Sequence, residues 1–199
     1  MESRKYQLKK RAVQQKKTRQ RIVEATVHLH ETIGVPGTTI SAIAKEAGVE
    51  RLTVYRHFAD EHALLTACTG HYLSQNPLPD PSQWESIADP ELCLRTALGE
   101  IYAFHRQTEA MMIPTYRDIE SVPTLQEILT PFFAYWRDIR DRLAEKYPGR
   151  SETHALLCAS LGHAIHFLTW QSLVRQQGLE DNQAIEVMVA MVNRVSAMV

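Results

Sequence analysis

Apolar positions in the first part of the chain recur with helical spacing. The set is Ile22, Ala25, Leu29 and Ile33. Steps of three and four residues place these side chains on one face of an amphipathic helix. Gly34 follows the run, and a glycine commonly ends a helix there because it adopts the left-handed cap without strain. The pattern predicts a first helix from about Lys16 to Ile33.

Two short helices are predicted next. Thr38 or Thr39 can cap the first of them, which Gly48 closes. The second runs from about Arg51 to Phe58. Neither persists alone, because helix nucleation is too costly in segments shorter than about 12 residues. Both helices must therefore pack on their neighbours.

A fourth helix is predicted from the N-cap residue Asp60 towards Leu73. The stretch that follows is rich in proline, which forbids a regular helix and indicates a module boundary. These prolines are Pro77, Pro79, Pro81 and Pro90. Asp89 and Pro90 then form a cap followed by proline at the first helical position, which opens the second module.

The second module is also predicted to be helical. Its later prolines are expected to cut it into separate helices. They are Pro114, Pro123, Pro131 and Pro148. Two long segments, 152–177 and 181–199, finish the chain on either side of Gly178. Without alternating apolar and polar runs, the sequence predicts an all-α fold with a basic flexible arm (1–15), a small helical domain (16–73) and a larger one (74–199).

Composition limits the class of protein. A chain of 199 residues with 44% apolar and 23% charged side chains is typical of a folded globular protein of at most two domains. We expect a cytoplasmic location, because no membrane span or leader segment is recognisable. Residues 1–72 hold 12 Lys and Arg against 7 Asp and Glu, a net charge of +5, and the remainder carries −6. This charge asymmetry is expected of a protein whose N-terminal domain binds a polyanion, although a basic N-terminal arm alone would also produce it.

Candidate catalytic and metal chemistry is sparse. Three cysteines without paired spacing argue against a disulfide framework or a zinc site. His163 and His166 share a helix face, but no acidic or cysteine partner stands at a helpful spacing, so we expect no metal site. The common catalytic signatures are missing. We therefore expect neither an enzyme nor a cofactor.

Residues 39–58 have the anatomy of a helix-turn-helix. Apolar Ile40, Ile43 and Ala44 are expected to turn inward, and Gly48 permits the reversal between the helices. Val54 and Phe58 of the second helix also face the core. The other face of that helix carries Arg51, Leu52, Thr53, Tyr55, Arg56 and His57. Hydroxyl, imidazole and guanidinium groups suit the phosphates and base edges of a major groove, although an ordinary polar surface helix would look similar. Lys17 and Arg19 on the first helix add salt-dependent contacts to the same phosphates.

The segment from Gly34 to Leu65 closely resembles the N-terminal domain of TetR-family regulators, in the runs TTISAIAKEAGV and TVYRHF followed by ALL. The resemblance implies that Thr39 caps the supporting helix against phosphate, that Arg51, Leu52 and Thr53 approach bases, and that Tyr55 and His57 hold the backbone. One position departs from the family pattern, because Glu61 stands where a lysine is usual. A carboxylate there repels phosphate, although it is favourable at a helix N-terminus.

The resemblance also implies a helical effector-binding domain. Aromatic and sulfur-bearing residues with a few polar anchors are the candidates, since ligand sites combine an apolar wall with a few polar groups. They are Phe104, His105, Met112, Tyr116, Arg117, Phe133, Trp136, His163, Phe167 and Trp170. A plain packing role for most of them is the alternative. The effector is expected to be largely apolar or aromatic.

The last two helices are expected to pair across a twofold axis. A row of mostly small side chains on one helix and an apolar row on the other form the predicted dimer interface. Its residues are Ala155, Ala159, Gly162, His166, Ile185, Met188, Val192 and Val195. Burial of both helices within a monomer is the alternative.

Together these features predict an effector-responsive transcriptional regulator, of repressor type, that binds a palindromic operator as a homodimer. Effector binding would release it from the DNA. Two alternatives are a helical protein-interaction module without DNA binding and a helical enzyme, which would need paired acid and base groups in a pocket.

Overall fold

The computed structural model describes residues 2–147 and 151–198, and every regular element in these ranges is helical, which confirms the all-α prediction. A 3₁₀ turn lies at Pro81–Gln83 and a π turn at Ser172–Gln176. The α-helices are α1 (Glu2–Ile33), α2 (Ile40–Glu46), α3 (Arg51–His57), α4 (Glu61–Gln75), α5 (Pro90–Asp118), α6 (Pro123–Ala144), α7 (Ser151–Ala164), α8 (Phe167–Gln171) and α9 (Asp181–Ser196).

The chain divides into two compact units. The N-terminal unit contains residues 1–77 and 110–128, and the C-terminal unit contains 78–109 and 129–199. The boundary near residue 77 lies close to the end of the proposed head domain, but the inclusion of 110–128 has no counterpart in the sequence pattern. Helices α5 and α6 each contribute residues to both units.

The core of the N-terminal unit is built from α1 to α4. Its buried members include Ile22, Ile43, Ala44, Val54 and Phe58, as the helical spacing predicts. Ile33 departs from the prediction, because 45% of its surface is exposed at the end of α1. The helix runs back to Glu2, so the stretch proposed as a flexible arm is helical over its described part.

Two proline predictions are wrong. Pro114 lies inside α5 and Pro131 lies inside α6, whereas we expected both to end helices. A proline removes one backbone hydrogen bond and kinks a helix, but the helix continues when the bonds on both sides and its packing hold it. Pro123 does begin α6, as predicted, and Pro148 lies outside the described residues.

The predicted long helix at 152–177 is interrupted at Ile165 and His166. The Tyr102 hydroxyl donates to the carbonyl of Ala164 at 3.0 Å, and His105 Nε2 donates to that of Ile165 at 2.9 Å. Side chains from α5 therefore satisfy carbonyls that would otherwise bond within the helix. Within the described residues, no helix is long and apolar enough to span a membrane.

Candidate nucleic-acid interface

The turn between α2 and α3 is fixed by local chemistry. The Thr39 hydroxyl accepts a hydrogen bond from the backbone N–H of Ala42 at 3.1 Å, which caps α2. Gly48 has a φ of 63°, the left-handed conformation that the reversal requires. Val49 is half-buried against the core between the two helices. Helix α3 therefore leaves the turn at a defined angle. Its seven residues are too few to form a stable helix in isolation, so its packing on the core must stabilise it.

Helix α3 has one buried and one exposed side. Val54 and Phe58 are 1% and 4% exposed, and they anchor the helix to the core. Leu52 and Tyr55 are 56% and 51% exposed. These two side chains are three residues apart and therefore lie on the same exposed face of the helix. Arg51 and Arg56 are also exposed, and Thr53 and His57 are half-buried at the margin of the same face.

The predicted contacts on α1 and α2 lie at the surface as well. Lys17 and Thr39 are exposed. The Arg19 guanidinium lies over the ring of Phe58, 4.7 Å from its centroid. This cation–π contact restrains the side chain without neutralising its charge. Arg19 is thus a positioned cation beside α3.

The lysines and arginines of the first 77 residues are not neutralised by ion pairs. Among the described side chains from residue 6 to residue 77, no lysine or arginine forms an ion pair. In the C-terminal unit, by contrast, many arginines bind carboxylates. They are Arg95, Arg106, Arg140, Arg142 and Arg175. A set of exposed, unpaired cations is the electrostatic signature of a surface that binds a polyanion.

Glu61 lies in the first turn of α4, next to the cap formed by Asp60, whose carboxylate accepts from the N–H of Ala63 at 2.7 Å. The position is exposed. His62 Nε2 lies 3.8 Å from a Glu127 carboxylate oxygen, so this histidine is beside an acid. Neither residue offers the phosphate contact that a lysine would provide here.

Sequence reasoning missed a buried polar cluster behind the interface. His30 Nδ1 lies 3.4 Å from Cys68 Sγ, and both side chains are buried. Burial lowers the pKa of His30 to about 4 and raises the pKa of Cys68 to about 12, so a neutral thiol lies against a neutral imidazole. Asp118 accepts from the N–H of Val35 at 3.2 Å and so holds the end of α1. Contacts that join residues so distant in sequence leave no local pattern.

The predicted effector residues are only partly brought together. In the C-terminal unit the rings of Phe104, Trp136, Phe167 and Trp170 surround His105, with centroids between 5.5 and 6.1 Å from it. Met112, Tyr116 and Arg117 belong to the N-terminal unit instead. Phe133 is half-buried beside Phe132, and His163 is exposed with Nδ1 3.2 Å from the Thr169 hydroxyl. Arg117 binds Asp118, so it serves as an ion-pair partner.

His105 is the polar centre of this aromatic cluster. Its Nε2 donates to the Ile165 carbonyl, so Nδ1 is the unprotonated acceptor, and this buried atom has no hydrogen-bond partner in the described structure. Burial lowers the pKa of His105 to about 4, which keeps the ring neutral. Among the described residues there is no group of three or more histidine, cysteine, aspartate and glutamate side chains that could hold a metal ion.

Three of the predicted dimer residues on α9 are buried within a single chain. Ile185, Met188 and Val192 are 6%, 2% and 0% exposed and pack within the C-terminal unit itself. The opposite face of α9 exposes Val187 and Met191, at 40% and 51%. The apolar arc of α9 is wide, and the sequence does not reveal which side the unit's own core covers. Val195 is half-buried at the edge.

The predicted row on α7 is at the surface. Ala155, Ala159 and His166 are exposed, and Leu156 between them is 59% exposed. Gly162 is half-buried, and a Cβ there would lie 3.4 Å from the Arg140 side chain. Its small size therefore admits Arg140 of the same unit.

Comparison with known proteins places the interface in a family. The sequence model described as "Bacterial regulatory proteins, tetR family" matches residues 22–68. The HTH-type transcriptional regulator TtgW of Pseudomonas putida is 36% identical over 85 residues, covering 40% of this chain and 63% of that protein. SrpR of Pseudomonas putida is 34% identical over 85 residues, covering 40% of each. The matches thus span less than two thirds of these relatives.

Solved structures share the fold over most of the chain. A TetR-like transcriptional regulator from Rhodococcus sp. RHA1 has a TM-score of 0.65 at 17% identity, covering 90% of this chain and 96% of that one. A TetR transcription regulator from Haloarcula marismortui has a TM-score of 0.57 at 14% identity, covering 91% and 97%. Residues 22–68, which contain the helix-turn-helix, thus match the tetR family of bacterial regulatory proteins in sequence, and the chain shares its fold with solved TetR-type regulators.

Proposed function

We propose that this protein is a transcriptional regulator that binds operator DNA through the exposed face of α3 and is released by an effector. The observation that carries the proposal is the two-sided burial of α3. Val54 and Phe58 fix the helix to the core, while Leu52 and Tyr55 stay in water among unpaired cations. A short rigid helix with such a face fits a DNA major groove, as a recognition helix does.

A second exposed surface supports the formation of a homodimer. The exposed apolar side chains of α7 and α9, among them Leu156, Val187 and Met191, offer a surface for a second copy of the chain. Cyclic twofold pairing is the commonest oligomer and reads a palindromic site. The two recognition helices would then occupy half-sites about 34–36 Å apart. We infer that the protein acts as a repressor in the cytoplasm.

Operator binding is tested with duplexes selected by the protein from a random-sequence pool. Tyr55→Ala is expected to weaken binding of a selected duplex about tenfold or more, since one specific contact contributes roughly 1–3 kcal/mol. The side chain is half in water, so its removal leaves the core intact. Mobility shift measures affinity, and light scattering of the complex is expected to give two chains per duplex. Leu92→Ala, a truncation of a 50% exposed apolar side chain on α5 that belongs to neither proposed surface, is the matched control for affinity.

Selection that enriches no duplex would contradict DNA binding and favour the protein-interaction module. Selected sequences without twofold symmetry, bound by single chains, would contradict the dimer alone. The two parts of the proposal therefore fail separately.

The aromatic cluster around His105 supports the effector part of the proposal. A neutral ring with a free Nδ1 lone pair accepts a hydrogen bond from a hydroxyl, amide or amine, and the surrounding rings suit an apolar or aromatic body. Such a ligand would shift the protein between states only if it bound them with different affinities.

A thermal-shift screen of small aromatic alcohols and amines tests this assignment. A compound that binds the folded state raises the unfolding temperature with its concentration. The rise is expected to disappear in His105→Phe, which keeps a ring in the cluster but removes both nitrogens. It should persist in Tyr55→Ala, since that substitution lies in the N-terminal unit. An unchanged shift in His105→Phe would remove His105 from the effector site.

A further inference from the structure

A surface groove of about 390 Å³ lies between α7, α8 and α9 in the C-terminal unit. Its lining includes the imidazole of His163, the thioethers of Met188 and Met191, and the side chain of Thr169. None of the described residues that line it is acidic or a cysteine. The groove therefore brings together soft, uncharged donor atoms and contains no carboxylate oxygen from its own walls.

The two methionines reach the groove from one face of α9. Met188 and Met191 are three residues apart, a spacing that makes side chains neighbours on a helix surface. Met188 is 2% exposed and Met191 is 51% exposed, so one sulfur lies deep in the groove and the other near its opening. A methionine side chain has three rotatable bonds, and both sulfur atoms can therefore turn towards one point.

His163 reaches the same groove from α7, which packs along α9. Its Nδ1 lies 3.2 Å from the hydroxyl of Thr169, a residue that is 6% exposed. When Nδ1 donates its proton to this hydroxyl, the lone pair of Nε2 points away from Thr169 and can bind a metal ion. A hydrogen bond from the second ring nitrogen is the usual support of a metal-ligating histidine, because it fixes the tautomer and the orientation of the ring.

His166 lines the groove as well, but it has a different role. Its Nδ1 accepts a hydrogen bond from the backbone N–H of Leu168 at 3.3 Å, which caps α8. In the neutral ring the proton is then on Nε2, so the ring offers no lone pair outside the cap. We therefore assign no metal bond to His166.

We propose that His163 Nε2 and the sulfur atoms of Met188 and Met191 bind a monovalent copper ion, Cu(I). Thioether sulfur is a soft ligand that selects Cu(I), and imidazole nitrogen also suits copper. The three donors are uncharged, so the site carries only the single charge of the ion. A divalent ion would keep two charges with no carboxylate to neutralise them, which is more costly in a partly buried groove.

This inference goes beyond the proposed function and does not depend on it, since all three ligands lie in the C-terminal unit. The sequence predicts no metal site at His163, because no acidic or cysteine partner stands near it. The fold changes this expectation, because it supplies sulfur donors from a different helix.

Competition with the chromogenic chelator bicinchoninate, under anaerobic and reducing conditions, measures the affinity for Cu(I). The full chain with Cys158→Ser is the starting protein, because the half-buried thiol of Cys158 would bind copper itself, whereas Cys68 and Cys93 are buried. This protein is expected to bind one Cu(I) per chain. Thr169→Val, which removes only the hydroxyl that orients the imidazole, is expected to weaken binding about tenfold to a hundredfold.

Replacement of the ligands is expected to weaken binding at least as much as the change at Thr169. His163→Gln removes the nitrogen donor, and Met191→Leu removes a sulfur donor while conserving side-chain volume. His154→Gln and Met198→Leu are the matched controls, because both residues are exposed and neither lines the groove. The controls are expected to leave the affinity unchanged, and far-UV circular dichroism checks the fold of every variant.

X-ray absorption at the copper edge tests the identity of the donors. The bound ion is expected to show sulfur and nitrogen neighbours, and the sulfur signal should disappear in the double variant Met188→Leu, Met191→Leu. Met191 also belongs to the surface proposed for a second copy of the chain, so light scattering accompanies each affinity measurement. Loss of affinity only in variants whose number of associated chains also changes would contradict direct coordination.

Three further results would overturn the copper site. They are equal Cu(I) affinity in Met191→Leu and Met198→Leu, bound copper without sulfur neighbours, and binding of Zn²⁺ that is as tight as that of Cu(I) and insensitive to both methionine substitutions. Failure of the protein to bind duplex DNA would refute the proposed function and leave this site standing.

Discussion

Replacing Gly34 with alanine is expected to lower the free energy of unfolding of the N-terminal unit by about 2–5 kcal/mol. Gly34 has a φ of 79°, and holding an alanine in that region costs roughly 1–2 kcal/mol. A Cβ would also overlap with Arg117 Nη2 and Asp118 Oδ2. The Arg117 side chain is 57% exposed and can swing away, but Asp118 is 8% exposed and bonded to the Val35 N–H. Displacing it leaves buried polar groups unpaired, which costs about 1–3 kcal/mol more.

Gly48→Ala is the matched control for this prediction. Gly48 has a φ of 63°, but a Cβ there meets no atom within 4 Å. Only the conformational cost of about 1–2 kcal/mol is therefore expected. Urea denaturation followed by circular dichroism measures both variants. Equal losses of unfolding free energy for Gly34→Ala and Gly48→Ala would contradict this prediction. They would show that Asp118 can move at little cost and that its hydrogen bond to the Val35 N–H contributes little stability.

Acid is expected to destabilise each unit through one buried histidine. The pKa of His30 and that of His105 are lowered to about 4 in the folded protein, against about 6.5 in an unfolded chain. The unfolded state therefore binds more protons between these values, so stability is fully present above about pH 6.5 and falls as the pH drops towards 4. At about pH 5 the loss is roughly 2 kcal/mol for each histidine. Urea denaturation at several pH values measures it.

Replacement of the two histidines assigns the pH dependence. In His30→Gln the slope of unfolding free energy against pH is expected to flatten for the N-terminal unit, and in His105→Gln for the C-terminal unit. The double variant should lose both contributions. Single variants that retain the full slope of the unaltered protein would show that other groups cause the acid sensitivity. The test compares only the slopes of unfolding free energy against pH. The stability at neutral pH is not compared, because glutamine also changes the packing at these sites.

The N-terminal fold could be predicted because its signals are local. Thr39 and Asp60 cap helices through their own side chains, and Gly48 permits a turn that its position alone indicates. The spacing of Val54 and Phe58 likewise divides α3 into a buried and an exposed side. The candidate interface follows from these few features, because any polar residue between the anchors must face outward.

The C-terminal unit was less predictable because distant contacts decide it. The break at Ile165 has no glycine or proline, and it depends on hydrogen bonds from Tyr102 and His105. The apolar arc of α9 is wide enough that either side could face inward, and Met188, which we predicted at a dimer interface, is 2% exposed in the single chain.

The internal prolines have a mechanical consequence. Pro114 cannot donate to the carbonyl of Ala110, and Pro131 cannot donate to that of Glu127. The first gap begins where α5 passes between units at 109–110, and the second spans the corresponding passage of α6 at 128–129. At both positions one backbone carbonyl of the helix receives no hydrogen bond from the residue four positions later. Bending the helix there therefore breaks no further backbone hydrogen bond. Bending either helix would therefore cost least free energy at its proline.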